Sequence, residues 1–335
     1  MRTELLCCMM ILMFLFGGCF GEKDFIKAGY DDSLQREAGY PRTLQNYDSN
    51  RKKINIRFFR KPKRVLAHHQ NIIEALLALE EGKNIIAGAF TGTETRQFTW
   101  RYAKLAEAIP IINQYDFDLE TVLMLHPDLI IGWQSTFSSR MLRPTSFWHE
   151  RGINTYIAAN SNSILPIGTI DDECKFINDL GYIFNKQELA DTLINEIREE
   201  LEHTKKQVTG LPHPRALILE FMGKNITVYD KNRLAGDMVT SLGGELLPTG
   251  RTIDAETLIE LNPDVIFIVR TNGIMDESFY RNRVMNNKAF RTISAVKNKR
   301  VYPVPLIFMY VSGIRTIEGI RLFKKGLYPE LEGNE

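Results

Sequence analysis

The sequence predicts an α/β protein of two similar lobes, each with a central and mostly parallel sheet, joined by one long rigid α-helix. Three observations carry this. Residues 117–131 are echoed by residues 253–267, at a constant offset of 136 and without a gap. Residues 187–208 form a single amphipathic run between the two copies. The apolar segments around both are short and rich in β-branched residues, as in strands buried on both faces.

In each copy of the repeat an Asp (Asp118, Asp254) stands where it can cap a short helix. A Pro-Asp pair (Pro127-Asp128, Pro263-Asp264) then stops that helix and starts a turn into the next strand. Two copies mean two lobes of one design, and such chains work at the cleft between them.

The elements follow in order. An apolar run from Leu5 to Phe16, after Met1-Arg2 and before Gly17-Gly18-Cys19, is shorter than the roughly 20 residues a membrane-spanning helix needs. It reads as a secretory signal, so residues 1–19 are assigned to export. Residues 20–53 are polar and read as a flexible tether. The N-terminal lobe is expected over 54–186, with a first strand at Arg64-Val65-Leu66-Ala67, a helix over 71–79 and a strand over 84–88. In residues 187–208, Leu189, Leu193, Ile197 and Leu201 recur every four positions between charged residues, giving a helix about 30 Å long. Gly210-Leu211-Pro212 stops it, so the bridging helix is placed at 187–209. The C-terminal lobe is expected over 210–328, followed by a tail, 329–335.

The 335 residues hold 42 basic and 41 acidic side chains, so no global charge favours nucleic acid or an anionic membrane surface as main partner. Of the four cysteines, Cys7 and Cys8 leave with the signal, and Cys174 has no internal partner. The exported chain is therefore expected to fold without a disulfide.

Candidate ligand residues cluster just after strands, where open α/β sheets bind their ligands. Trp133 follows the strand of the first repeat copy. Phe221, Met222 and Tyr229 follow the strand at 216–219, and Phe308 and Tyr310 follow that at 301–304. Arg315 opens the last helix, where it can pair with an anionic ligand or sit in solvent. His68-His69 follows the first strand, where a pair of His could ligate a metal centre carried by a ligand or simply contact that ligand. Arg96 lies in a polar loop of the same edge. A free-metal site needs three or four converging His and carboxylate ligands, which the sequence does not assemble. Glu120 and Glu256 occupy equivalent places in the repeat, two residues after each capping Asp. A carboxylate there favours the helix dipole, by about 0.3–1 kcal/mol.

Taken together, Pro62-Lys63-Arg64-Val65, Leu125-His126-Pro127-Asp128-Leu129-Ile130, Gly243-Gly244-Glu245, Leu261-Asn262-Pro263-Asp264-Val265-Ile266 and Lys299-Arg300-Val301-Tyr302 resemble a known family. It is that of the substrate-binding lipoproteins (class III periplasmic binding proteins) of ABC importers for ferric siderophores, haem and cobalamin. The resemblance covers about residues 62–325. It implies a monomer that captures an iron complex between its lobes, a ferric siderophore first, with haem or cobalamin as alternatives. It implies delivery to an ABC permease and its ATPase, with Glu120 and Glu256 facing permease arginines. Gly17-Gly18-Cys19 resembles a lipobox, which implies lipidation of Cys19 and a protein anchored on the periplasmic side or at the cell surface. No cofactor beyond the cargo is expected. Nucleophile-elbow, phosphate-loop and His-Glu-x-x-His motifs are missing, so a carrier is favoured over an enzyme acting on iron complexes or an adhesin.

Overall fold

In a computed structural model, which describes residues 25–26, 37–89, 100–113, 117–161, 164–223, 225–271 and 275–333, the chain forms two α/β lobes. The first contains strands β1 (Phe25–Ile26), β2 (Arg42–Tyr47), β3 (Lys53–Phe58), β4 (Val65–His68), β5 (Ile85–Ala89), β6 (Ile111–Asn113), β7 (Leu129–Gly132) and β8 (Asn154–Ile157). Its helices are α1 (Gln70–Ala78), α2 (Trp100–Ala106), α3 (Leu119–Leu125), α4 (Thr145–His149) and α5 (Ile170–Phe184). Helix α6 (Gln187–Val208) then leads to the second lobe. That lobe has strands β9 (Arg215–Met222), β10 (Asn225–Val228), β11 (Glu245–Leu246), β12 (Thr252–Ile253), β13 (Val265–Arg270) and β14 (Val301–Pro305). Its helices are α7 (Leu234–Ser241), α8 (Ala255–Leu261), α9 (Glu277–Met285), α10 (Ser294–Lys297) and α11 (Thr316–Leu327).

The first sheet is parallel throughout, in the order β6-β5-β4-β7-β8. The second runs β12-β10-β9-β13-β14, parallel at β9-β13-β14 and antiparallel where β10 folds back on β9. The parallel strands are buried on both faces, as their unbroken apolar runs require.

The repeat folds as two units with matching local geometry. Asp118 and Asp254 each accept the N–H three residues on, from Thr121 and Thr257, both at 2.8 Å. Both helices end on a left-handed residue, His126 at φ 44° and Asn262 at φ 42°. A carboxylate then ties each turn to the start of a neighbouring strand, β4 in the first lobe and β9 in the second. Asp128 accepts the N–H of Lys63 and Arg64, and Asp264 that of Arg215. The guanidinium groups of Arg64 and Arg215 in turn donate to the last carbonyls of α3 and α8. These cationic caps also suit the negative ends of the helix dipoles.

Helix α6 packs against α5 of the first lobe and α11 of the second, so it bridges them as expected. A single apolar core runs through both lobes, including Ile177 on α5, Met238 on α7, and Phe267 on β13. Smaller clusters fill the outer face of each sheet. Cys174 is buried and free.

The tether expectation is corrected over its second half. Residues 37–53 are not loose. Strands β2 and β3 form an antiparallel hairpin whose inward residues Leu44, Ile56 and Phe58 join the main core. Asn46 pairs with the exposed edge of β8 in the manner of a strand, accepting the Ile157 N–H at 2.8 Å and donating to its carbonyl at 3.0 Å. Tyr40 donates to the Ile183 carbonyl. The Arg42 guanidinium lies over the rings of Tyr40 and Tyr182 and donates to the Tyr182 carbonyl and Asn185. At the other end, 329–333 is not a free tail but a short 3₁₀ turn, with Leu331 against the core. Among the described residues no helix is long and apolar enough to cross a membrane. The export segment and Cys19 lie outside the described residues.

Candidate ligand cleft between the lobes

The strand order of the first sheet reverses at β4, so the carboxyl ends of β4 and β7 open onto a crevice. In the second sheet the ends of β9 and β14 face the same space. The result is a cavity of about 830 Å³, within the roughly 300–1,000 Å³ of small-molecule sites. Trp133 and Gln134 after β7 line one side, and Glu220 and Met222 at the end of β9 and Tyr310 after β14 line the other.

A chain of rings crosses the crevice from lobe to lobe. Phe117 and His68 lie 5.5 Å apart, His68 stacks on His69 at 4.1 Å, and His69 stacks on Trp133 at 4.0 Å. Trp133 then faces Tyr310 at 6.3 Å, and Tyr310 meets Tyr229 edge-on at 6.0 Å. The spacings of 5.5, 6.3 and 6.0 Å are those of favourable aromatic pairs, and the two imidazole stacks are closer still. The turn after β4 makes this possible. His69 takes a φ of 89° at the start of α1, a strained conformation for a non-glycine residue, and the imidazole thereby reaches the indole. His68 is fixed by a 2.8 Å bond between its Nδ1 and Thr136 Oγ1.

The second lobe supplies a phenol pair. Tyr229 donates to Glu220 Oε2 at 2.5 Å, and its oxygen lies 3.3 Å from that of Tyr310. Burial, with the neighbouring Tyr310 and Glu220, pushes the Tyr229 phenol far above its usual range, so it stays a proton donor. Among the described residues, three arginines, Arg51, Arg233 and Arg251, share the lining with two carboxylates, Glu220 and Asp230. The cleft thus combines flat apolar walls with an excess of guanidinium, a combination suited to an aromatic or planar anion.

Of the residues singled out from the sequence, Trp133, Met222, Tyr229 and Tyr310 line the cleft together. Five others do not. His68 and His69 are buried behind Trp133, so they support the aromatic wall and are not in the lining that a cargo iron would meet. Phe221 packs into the outer cluster of the second lobe under the Arg283 guanidinium. Phe308 is in the main core, because the 3₁₀ turn after β14 rotates it inward while Tyr310 turns out. Arg315 pairs with Glu318 at 2.8 Å and lies over the Phe308 ring, away from the lining. Arg96 lies outside the described residues. Sequence reasoning missed Gln134, Glu220 and all three lining arginines. The position of Glu220 at a strand end was a usable signal. Among the described residues no group of three or more His, Cys, Asp or Glu is arranged to hold a metal ion.

Glu120 and Glu256 are exposed and sit identically in the first turns of α3 and α8, one on each lobe.

A family model described as periplasmic binding protein matches residues 65–306. A solved periplasmic binding protein from Veillonella parvula DSM 2008 is 34% identical, with a TM-score of 0.79, over 88% of this chain and 93% of that one. The uncharacterized ABC transporter substrate-binding lipoprotein YvrC of Bacillus subtilis (strain 168) is 21% identical over 303 residues, 88% of either chain. The high-affinity heme uptake system protein IsdE of Staphylococcus aureus is 30% identical over 139 residues, 38% of this chain and 46% of that protein. With its matched span, its paired lobes and the crevice between them, this chain belongs to the periplasmic binding protein family.

Proposed function

We propose that this protein is the capture subunit of an ABC importer for an iron complex, a ferric siderophore first, with haem or cobalamin as alternatives. The observation that carries the reading is the placement of Trp133 and Tyr310, from opposite lobes, against one crevice that also holds an excess of arginine. The cargo lies between these walls, and on this reading iron enters already chelated, held through its chelator by rings and guanidinium groups. The names of YvrC and IsdE, an importer's binding lipoprotein and a haem uptake protein, support the same assignment. On this reading Cys19 carries the lipid, the folded body faces outward from the membrane as a monomer, and Glu120 and Glu256 meet the permease. Helix α6 and the common core restrict the lobes to small movements when cargo binds.

The test is a titration of the soluble form, beginning at Gly21, with ferric siderophores, haemin and cyanocobalamin, followed by tryptophan fluorescence. Saturable submicromolar quenching by one class, weakened in Trp133→Phe, names the cargo. Absence of binding to all three removes the proposal. Conversion of a bound complex without a permease would instead identify an enzyme.

A further inference from the structure

The matched family segment begins at residue 65, yet the cleft lining includes Arg51, from the turn of the β2–β3 hairpin. We propose that this turn is an added wall of the ligand cleft and that Arg51 selects cargo bearing negative charge. The inference rests on the binding-protein reading and narrows it.

The turn is held in place by bonds on three sides. Ser49 donates its N–H to Thr145 Oγ1 at 3.1 Å, and Thr145 returns its own N–H to Ser49 Oγ at 3.3 Å. Gln134, itself part of the lining, donates from Nε2 to the Ser49 carbonyl at 2.9 Å. Within the turn, Asp48 Oδ1 accepts the N–H groups of Asn50 and Lys52 at 2.9 and 2.8 Å. The backbone pinned in this way carries Arg51, which lines the same cleft as Trp133 and Gln134.

The backbone points the same way. Arg51 has a φ of 67°, the left-handed region where glycine or asparagine sits with less strain. A long cationic side chain is thus kept at a turn position better suited to a residue without one, a pattern found at binding sites. Opposite it, the second lobe contributes Arg233 at the start of α7 and Arg251 before β12. An anion in the crevice would meet guanidinium groups from both lobes.

The test uses the chain from Gly21 and two probes, the anionic ferric complex of a tris-catecholate and the electroneutral ferric complex of a tris-hydroxamate, with affinities measured by calorimetry. Arg51→Glu should weaken the anionic complex by about tenfold or more and the neutral one by less than about twofold, with the gap shrinking as salt rises. Arg51→Lys, which keeps the charge, should stay within about threefold of the wild type. Arg51→Gly should keep or raise the thermal midpoint while losing anion affinity, which separates a binding role from a folding role. Equal losses for the two complexes, no loss in Arg51→Glu, or a wild type that binds only the neutral complex overturns the charge selection while the capture function stands. A folded wild type that binds neither complex nor haemin overturns the capture function, and this inference with it.

Discussion

His69 and Trp133 lie face to face, with ring centroids 4.0 Å apart and planes inclined by 16°. The imidazole is buried and the indole borders the cleft, so one ring sets the plane that the other offers to cargo. Trp133→Ala should weaken cargo binding by about tenfold or more, the loss of a large flat contact. His69→Ala should weaken it by about three- to tenfold, because it acts only through the orientation of the indole. Near-ultraviolet circular dichroism of the ligand-free protein separates the two. The His69 variant should lose tryptophan band intensity before any ligand is added, and an unchanged spectrum would remove its positioning role.

Glu120 and Glu256 repeat one geometry on two lobes, which fits two-point docking on a partner with matched positive charges. Replacing both by Arg should abolish uptake in cells and leave cargo affinity within about twofold. Each reversal opposes a helix dipole and costs about 0.3–1 kcal/mol of stability. A loss of affinity equal to the loss of uptake would count against docking.

The hairpin at 42–58 is part of the fold. Asn46→Ala strips the Ile157 N–H and carbonyl of their partners, and leaving such buried groups unsatisfied costs about 1–3 kcal/mol apiece. We expect a loss of about 2–4 kcal/mol by chemical denaturation. A chain beginning at Ile54, which lacks β2, should be insoluble or readily proteolysed. Survival of that shorter chain with wild-type stability would restore the tether reading.

Glu173 on α5 is fully buried, accepting from Asn160 Nδ2 at 2.6 Å and from the Gly313 N–H at 2.6 Å. Burial raises its pKa from 4.5 to about 7, against the lowering effect of those hydrogen bonds, and Asp172 adds to the rise. The folded state therefore holds this proton more tightly than the unfolded chain does. Its contribution is present below pH 4.5 and is lost as pH rises to about 7. The stability difference between wild type and Glu173→Gln should thus shift in favour of the variant across that interval and level off above it. A pH-independent difference in denaturation midpoints would show that the carboxyl does not titrate there.

Much of this architecture was readable from residue patterns. The 136-residue repeat gave both helix–turn–strand units, and the four-residue apolar spacing gave α6 at its observed bounds. Strand ends pointed to Trp133 and Tyr310 because position in a parallel sheet is a local property, whereas Tyr229 follows the antiparallel strand β10. The hairpin escaped because its inward positions on β2 are Arg42, Leu44 and Asn46, two polar residues in three. Its alternation is one of burial without hydrophobicity, satisfied by partners more than a hundred residues away. The lining arginines escaped for a related reason. An arginine carries no local signal for facing a cleft, and Arg51 reaches it only once the hairpin docks. Phe308 and Tyr310 differ by two residues and share a strand end, and only the turn between them decides which is inside.

The common core carries a consequence for dissection of the molecule. Ile177 and Phe184 from one lobe and Met238 and Phe323 from the other belong to a single apolar body. Cutting the chain within α6 would therefore not release two autonomous halves but two complementary fragments, each with a raw greasy face. Mixed together, they should reassemble as a noncovalent pair, and calorimetry of the intact protein should give one melting peak rather than two.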